Sequence, residues 1–306
     1  SRAVEALGLL GPTVVAANPA LLAAAAQRLG DMEATVRAAA AEALVKFRGA
    51  SAEPVAGLLE SEDSTTRAAA VDVLHRLGQW AAVAAERLCG RLQDAEPSIR
   101  AAAVEALEST GSVGSYSADL ARRSLRDSDA EVRRRVLVAL GRLGEGGAGA
   151  HASAVSELLE DPSASVREAA AAALGRLGAS GELHGAAALA RRLGDPSAEV
   201  WWRAVEVLSN MGPIAASCLA QMLEDPDPEV RHLAATGLGH MGGTAAPIAG
   251  SLAGRLEDSS SPVRRSAAGA LARCLGGGAE AVAAIEALPR SLEDEDPFVR
   301  RRAADA

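Results

Sequence analysis

The sequence predicts an all-α solenoid of about nine helix–turn–helix units, and three observations carry that prediction. The first is a phrase that recurs nine times along the 306 residues: an aspartate, four residues, a β-branched residue and an arginine. It reads Asp31…Val36-Arg37, Asp94…Ile99-Arg100, Asp127…Val132-Arg133, Asp161…Val166-Arg167, Asp225…Val230-Arg231, Asp258…Val263-Arg264 and Asp294…Val299-Arg300. Two copies depart from it: Ser61…Thr66-Arg67 lacks the aspartate, and Asp195…Val200-Trp201 puts tryptophan where the arginine stands. The second observation is the period. The β-branched sites are separated by steps of 30, 33, 33, 34, 34, 30, 33 and 36 residues, and self-similarity in that range marks stacked supersecondary units. The third is composition: 49% hydrophobic residues but only 2% aromatic. The core must then be built from Ala, Leu and Val, which favour helices and let them approach closely. Such a unit buries little area by itself and depends on its neighbours.

The elements follow in order within each unit. After the phrase comes helix B, as in the run from Val166 to Gly178, where apolar positions 166, 170, 173, 174 and 177 share one helical face. Gly78, Gly144, Gly178, Gly212 and Gly242 close these helices and are expected in the left-handed conformation that glycine adopts cheaply. Before the phrase lies helix A, as at Ala152 to Glu160 or Ala215 to Glu224, with Pro19 and Pro213 suited to a first helical turn. The turn between A and B often reads Asp-Pro (161–162, 195–196, 225–226), which forces the chain out of helix A. Its aspartate is placed to accept backbone N–H groups where helix B begins. The repeats expected on this basis are 18–48, 49–78, 79–111, 112–144, 145–178, 179–212, 213–242, 243–278 and 279–306.

The phrase also predicts a structural ladder along one edge. Each arginine is in reach of the aspartate of its own turn or of the adjacent one, and as exposed pairs these are worth about 0–1 kcal/mol each. Their regular recurrence marks them as structure and not as acid–base machinery.

The pattern L-x-D-x-x-x-x-V-R-x-x-A-x-x-A-L-G-x-L-G resembles that of HEAT repeats, particularly the short kind also found in phycobilisome-lyase-like proteins, over essentially the whole chain. The resemblance implies a right-handed superhelix whose B helices line the concave face. HEAT solenoids serve as scaffolds, transport receptors, lyase subunits and regulators, so the resemblance alone does not choose among them. Residues 1–8 align with 101–108, inside a helix B, and the chain stops at Ala306 inside another. These ends lead to the expectation of a segment of a longer protein, or of neighbouring subunits that cover the ends.

A net charge of −9 argues against wholesale nucleic-acid binding. Cys89, Cys218 and Cys274 are odd in number and far apart, which predicts free thiols in an intracellular reducing compartment, the cytoplasm or an organelle interior. The uncharged run from Ala6 to Gln27 is broken by Gly11-Pro12 and Asn18-Pro19, so no membrane span is expected. There is no GxSxG, P-loop or CxxC, and His75, His151, His184, His232 and His240 lack the i, i+4 spacing of a helical metal site. The di-iron HEAT hydroxylases carry paired His-Glu dipeptides, of which this chain has none. The reading is therefore non-enzymatic, with no cofactor.

Counted from the β-branched site, positions +2, +3, +6 and +10 are expected to face outward into the groove. Early in the chain they are small (Ala38, Ala39, Ala68, Ala69, Ala101, Ala102); later they become Arg134, Arg135, Trp202, Arg203, His232, Leu233, Arg265, Arg301 and Arg302. Aromatics flanked by arginines have the composition of an interface hot spot. The candidate partner-binding residues are therefore Arg134, Arg135, Trp202, Arg203, His232, His240 and Arg265. Basic residues at outward positions of helix B outnumber acidic ones, which predicts a mildly positive groove suited to an acidic protein segment. The function expected is a protein–protein interaction scaffold within a larger assembly. A chromophore-handling subunit like the bilin lyases and a nucleic-acid-binding HEAT-like protein remain as alternatives.

Overall fold

The computed structural model describes residues 18–274 and 288–305, and among them there is helix, turn and loop but no strand. The expected repeat boundary at 278/279 and the readings of residues 1–17 and of Ala306 lie outside the described residues. The chain divides into two compact units, Ser1–Leu143 and Gly144–Ala306.

In the first unit helix A and helix B alternate as Pro19–Gln27 with Ala34–Lys46, Gly49–Ala56 with Ser64–Leu77, Ala85–Gly90 with Pro97–Ser109, and Val113–Ser124 with the start of Ala130–Ala148. In the second unit the pairs are Ala152–Glu157 with Ala164–Arg176, Gly178–Arg191 with Ala198–Ser209, Pro213–Met222 with Pro228–Met241, and Ala249–Gly254 with Ser261–Cys274. Pro297–Asp305 follows as a further helix B.

The same local events build each pair. Helix A commonly tightens into a last 3-10 turn, as at Arg91–Gln93, Arg192–Gly194 and Arg255–Glu257. That turn drives a leucine two residues before the aspartate into the core: Leu29, Leu59, Leu92, Leu125, Leu159, Leu193, Leu223 and Leu256 are all buried. The aspartate itself is extended (Asp94 φ −60°, ψ 146°) and precedes the helix cap. Its Oδ1 accepts the N–H two residues on, from Glu33, Glu96, Asp129, Ser163, Ser197, Asp227, Ser260 and Asp296, at 2.8–3.1 Å. This Asx turn orients the residue from which helix B starts. Where serine replaces the aspartate, Ser61 Oγ accepts from Asp63 N–H in the same way, at 3.3 Å. The carboxylate that caps the helix dipole directly is a second one: Asp63, Asp129, Asp227 and Asp296 accept N–H groups from the first turn of helix B.

Helix B then buries its β-branched residue and the alanine–leucine face behind it; Val166, Ala170, Ala173, Leu174 and Leu177 are each 2% exposed or less. Twelve residues past the β-branched site the chain reverses with positive φ at Gly78, Gly111, Gly144, Gly178 and Gly242. Gly144 (φ 65°) thereby breaks Ala130–Ala148 into two helices. Two positions differ from expectation. Gly212 is extended (φ −92°, ψ −154°), because Pro213 follows and pushes its predecessor into the β region. Arg48 holds the reversal in the first repeat at φ 51°, without the freedom of glycine.

Candidate functional site

The arginine of the phrase makes two contacts at once. Its Nη1 donates to the carbonyl at the start of its own turn, as Arg37, Arg100, Arg133, Arg167, Arg231, Arg264 and Arg300 do to Asp31, Asp94, Asp127, Asp161, Asp225, Asp258 and Asp294, and Arg67 does to Ser61, at 2.6–2.9 Å. Its Nε and Nη2 form a two-pronged bond with the carboxylate of the next repeat's aspartate. The rungs Arg67–Asp94, Arg100–Asp127, Arg167–Asp195, Arg231–Asp258 and Arg264–Asp294 span 2.7–3.1 Å. One guanidinium therefore ties its own turn to the one stacked on it.

These pairs are not the exposed ones expected. The side chains of Arg67 and Asp94 are 11% and 1% exposed, and those of Arg167 and Asp195 are 10% and 1%. The reason is that each aspartate is bonded to the arginine of the preceding turn, and Asp94, Asp195 and Asp258 also lie beside one from the end of their own helix A, Arg91, Arg192 and Arg255. Burial pushes the Asp94 carboxyl up, but the Arg67 hydrogen bonds, the Glu96 N–H and the charges of Arg67 and Arg91 outweigh it and leave the group below the usual range. Asp127, Asp195 and Asp258 are lowered in the same way, and Asp294 chiefly by its bond to Arg264. The arginines are correspondingly raised, first by the hydrogen bond each donates to its paired aspartate. Buried, satisfied and periodic, this edge does structural work.

The ladder fails where the repeat step shortens to 30 residues. At one such step Ser61 stands where Arg37 would find a carboxylate; at the other Trp201 stands where Asp225 would find an arginine. Trp201 is half-buried and meets Trp202 edge to face, ring centroids 6.1 Å apart at 77°. Trp202 points outward and is 60% exposed.

On the outward face of the first unit, the arginines Arg76, Arg134, Arg135 and Arg142 are matched by carboxylates. Arg134 and Arg135 both bind Glu131, at 2.7–2.8 Å. Arg135 also pairs with Glu105 and Arg142 with Glu108, each from the preceding repeat, as Arg76 does with Glu42. A hollow of about 160 Å³ is lined by Glu105, Glu108, Arg134, Arg135, Arg142 and two valines. The expected positive excess is therefore absent from this hollow. In the second unit Arg203 bonds Glu168 at 3.1 Å and Glu206 at 2.6 Å, and His232 Nδ1 lies 2.6 Å from Ser266 Oγ. Arg265 bonds Asp296 at 2.9 Å and lies 4.6 Å over the Phe298 ring. Some outward positions are less open than expected: Ala101 at +2 and Ala169 and Leu233 at +3 are buried.

A second hollow, of about 230 Å³, brings together His240 and Arg265 with Arg273, Arg302, Thr236, Ser266 and Gly269. Arg302 at +3 and Arg273 at +10 are outward residues by the repeat count but stand outside the candidate partner-binding set. The signal lay in their neighbours, small uncharged residues at addresses where earlier repeats carry acids. Among the described residues no three His, Cys, Asp or Glu gather as a metal-binding group, and no helix is long and apolar enough to cross a membrane.

Stacked pairs of this geometry, tied by inter-repeat rungs, define an all-α solenoid protein. The family model of HEAT repeats matches residues 22–108, 85–154, 117–184, 152–225 and 186–272, and the chain belongs to that family. The match is to HEAT repeats in general; the narrower likeness to phycobilisome-lyase-like repeats gains no support from it. Comparison with curated proteins finds no match. Among solved structures, an engineered protein is similar with TM-score 0.54 and 21% identity, over 100% of this chain and 93% of that one. Importin beta is similar with TM-score 0.65 and 13% identity, over 92% of this chain. Kap95 in its complex with Nup1 is similar with TM-score 0.66 and 13% identity, over 93% of this chain. The chain spans 44% of the length of each of these last two. At such identities the likeness is one of fold.

Proposed function

We propose that this chain is a non-enzymatic protein-interaction scaffold that binds partner segments along the concave face of its B helices, as part of a larger assembly. The observation that carries the reading is Trp202: a tryptophan 60% exposed on an outward position of helix B, next to Arg203, in the repeat where the phrase fails. An aromatic held in solvent beside an arginine is the material of a binding hot spot. Membership of a family whose concave surfaces serve recognition supports it, as does likeness to Kap95, which is seen with Nup1, and Kap121p, which is seen with Ste12p. The free thiols Cys89, Cys218 and Cys274 suit an intracellular reducing setting.

Crosslinking and mass spectrometry on the native assembly, compared for wild type and the double variant Trp202→Ala/Arg203→Ala, tests the proposal. The variant should lose partner crosslinks at the groove by about tenfold or more while its helical circular dichroism is unchanged. Undiminished crosslinking would remove Trp202 and Arg203 from the binding surface.

A further inference from the structure

The hollow at the last three described B helices is cationic for a reason that can be read repeat by repeat. In the first unit Arg135 at +3 and Arg76 at +10 are each neutralised by an acid at +6 of the preceding repeat, Glu105 and Glu42, and Arg142 at +10 by Glu108 at +9. The equivalent cations in the second unit are Arg302 at +3 and Arg273 at +10. Their equivalent acid addresses are held by Gly269 and Thr236. The carboxylates are absent at these +6 positions, and Gly239 stands at the +9 position that corresponds to Glu108. Among the described residues neither Arg273 nor Arg302 meets a carboxylate.

Arg273 is nonetheless held in place. Its Nε donates to the Gly239 carbonyl at 2.8 Å, which orients the guanidinium and leaves its Nη groups without a protein acceptor among the described residues. A Cβ at Gly239 would come within 2.4 Å of Nη2, so the glycine is what lets the guanidinium lie against helix Pro228–Met241. Arg265 closes the same hollow, its charge shared with Asp296 and its Nε buried without a partner. Thr236 and Ser266 contribute hydroxyl groups and His240 an exposed imidazole.

We propose that this hollow is a seat for a single oxyanion, a carboxylate or a phosphate monoester, carried by a side chain of the partner segment. Planar guanidinium forks flanked by hydroxyls are suited to that chemistry. The proposal rests on the scaffold reading for the source of the anion. Its test does not, because small probes report on the hollow without any partner.

The probes are inorganic phosphate, N-acetyl-phosphoserine amide and N-acetyl-glutamate amide, titrated into the whole chain at constant ionic strength and followed by the arginine Nε–H and histidine NMR resonances. Saturable shifts at Arg273 and His240 are expected in the millimolar range, and the relative response to the phosphoserine and glutamate probes identifies which anion the seat prefers. Thr236→Glu returns an acid to its address, so it should pair with Arg273 and weaken binding about tenfold without loss of fold. Arg273→Gln/Arg302→Gln should abolish binding. No saturable shift with any probe, or equal affinity in Thr236→Glu and wild type, would overturn the assignment. Failure of the small probes leaves the crosslinking test of the scaffold intact, so the two readings fall separately.

Discussion

One hollow of the first unit and one of the second occupy corresponding addresses on their repeats, yet the first is charge-balanced and the second cationic. The first is lined by Glu105 and Glu108 as well as Arg134, Arg135 and Arg142, and its charges are spent on one another. The second is lined by Arg265, Arg273, Arg302 and His240 with no acid among its lining residues. The frame beneath them does not differ: the rungs Arg67–Asp94 and Arg167–Asp195 match in geometry and burial. The buried edge keeps the repeats in register, and the few outward positions that packing leaves free set the difference. Distinguishing a stacking solenoid from a recognising one therefore requires breaking the frame and the groove separately.

Breaking the frame should have the largest effect. Asp94→Ala and Asp195→Ala each leave a buried arginine without its carboxylate, which costs about 3–5 kcal/mol. The two should cost the same, one in each unit, when read from urea denaturation midpoints. Asp225→Ala is the internal control, because Trp201 occupies its rung position and only the Asx bond to Asp227 N–H is lost. Its cost should be about 1 kcal/mol or less. An Asp225→Ala penalty as large as that of Asp94→Ala would show that the turn, and not the rung, carries the stability.

Acid should break the same frame in both units together. The rung aspartates are lowered in the folded chain, while an unfolded aspartate titrates near about 4. Their contribution is complete above that value and is lost as the pH falls from it through the depressed native values. The thermal midpoint should be flat from neutrality to about pH 5 and fall steeply below about pH 4. Asp94→Ala should flatten part of that fall.

These rungs show what the sequence alone could and could not carry. The helices, the turn and the alanine–leucine face were legible because period, glycine position and apolar spacing are local. Whether Arg67 reaches its own turn or Asp94 was not, since that depends on the offset between stacked repeats; the structure shows that its Nη1 takes the first and its Nε and Nη2 the second. Burial of the rung has the same origin. Arg265 and His240 were legible as outward residues, whereas the pairing of Arg135 with Glu105 and the lack of such an acid beside Arg273 and Arg302 exist only across a repeat interface. Gly212 departs from the periodic pattern because its neighbour Pro213 outweighs it.

A smaller effect sharpens the first unit alone. Arg48 holds φ 51° and ψ −133°, the conformation that Gly78 and Gly242 adopt at the same repeat position. A side chain there costs about 1–3 kcal/mol, and the contact of Arg48 with the Trp80 ring at 5.9 Å returns about 0.5–1. Arg48→Gly should therefore stabilise the chain by about 1 kcal/mol, visible as a higher urea midpoint. A destabilised variant would mean that the Trp80 contact outweighs the backbone strain.

The smallest effect bears most directly on the two hollows. Glu105→Gln/Glu108→Gln removes the acids that the first hollow has and the second lacks. Both pairs are partly exposed, so stability should change by less than about 1 kcal/mol per pair. Arg142 would be released, but Arg134 and Arg135 would stay on Glu131, whose carboxyl is pushed down to about 2 first by the Arg134 hydrogen bond and then by Arg135. That carboxylate remains charged at any working pH. Phosphate should therefore bind the altered first hollow several-fold more weakly than the second, as read by the same arginine Nε–H resonances. If it binds equally well, the missing acids alone distinguish the hollows. If it binds more weakly, the carboxylate that Glu131 keeps on Arg134 and Arg135 is part of what separates the two hollows.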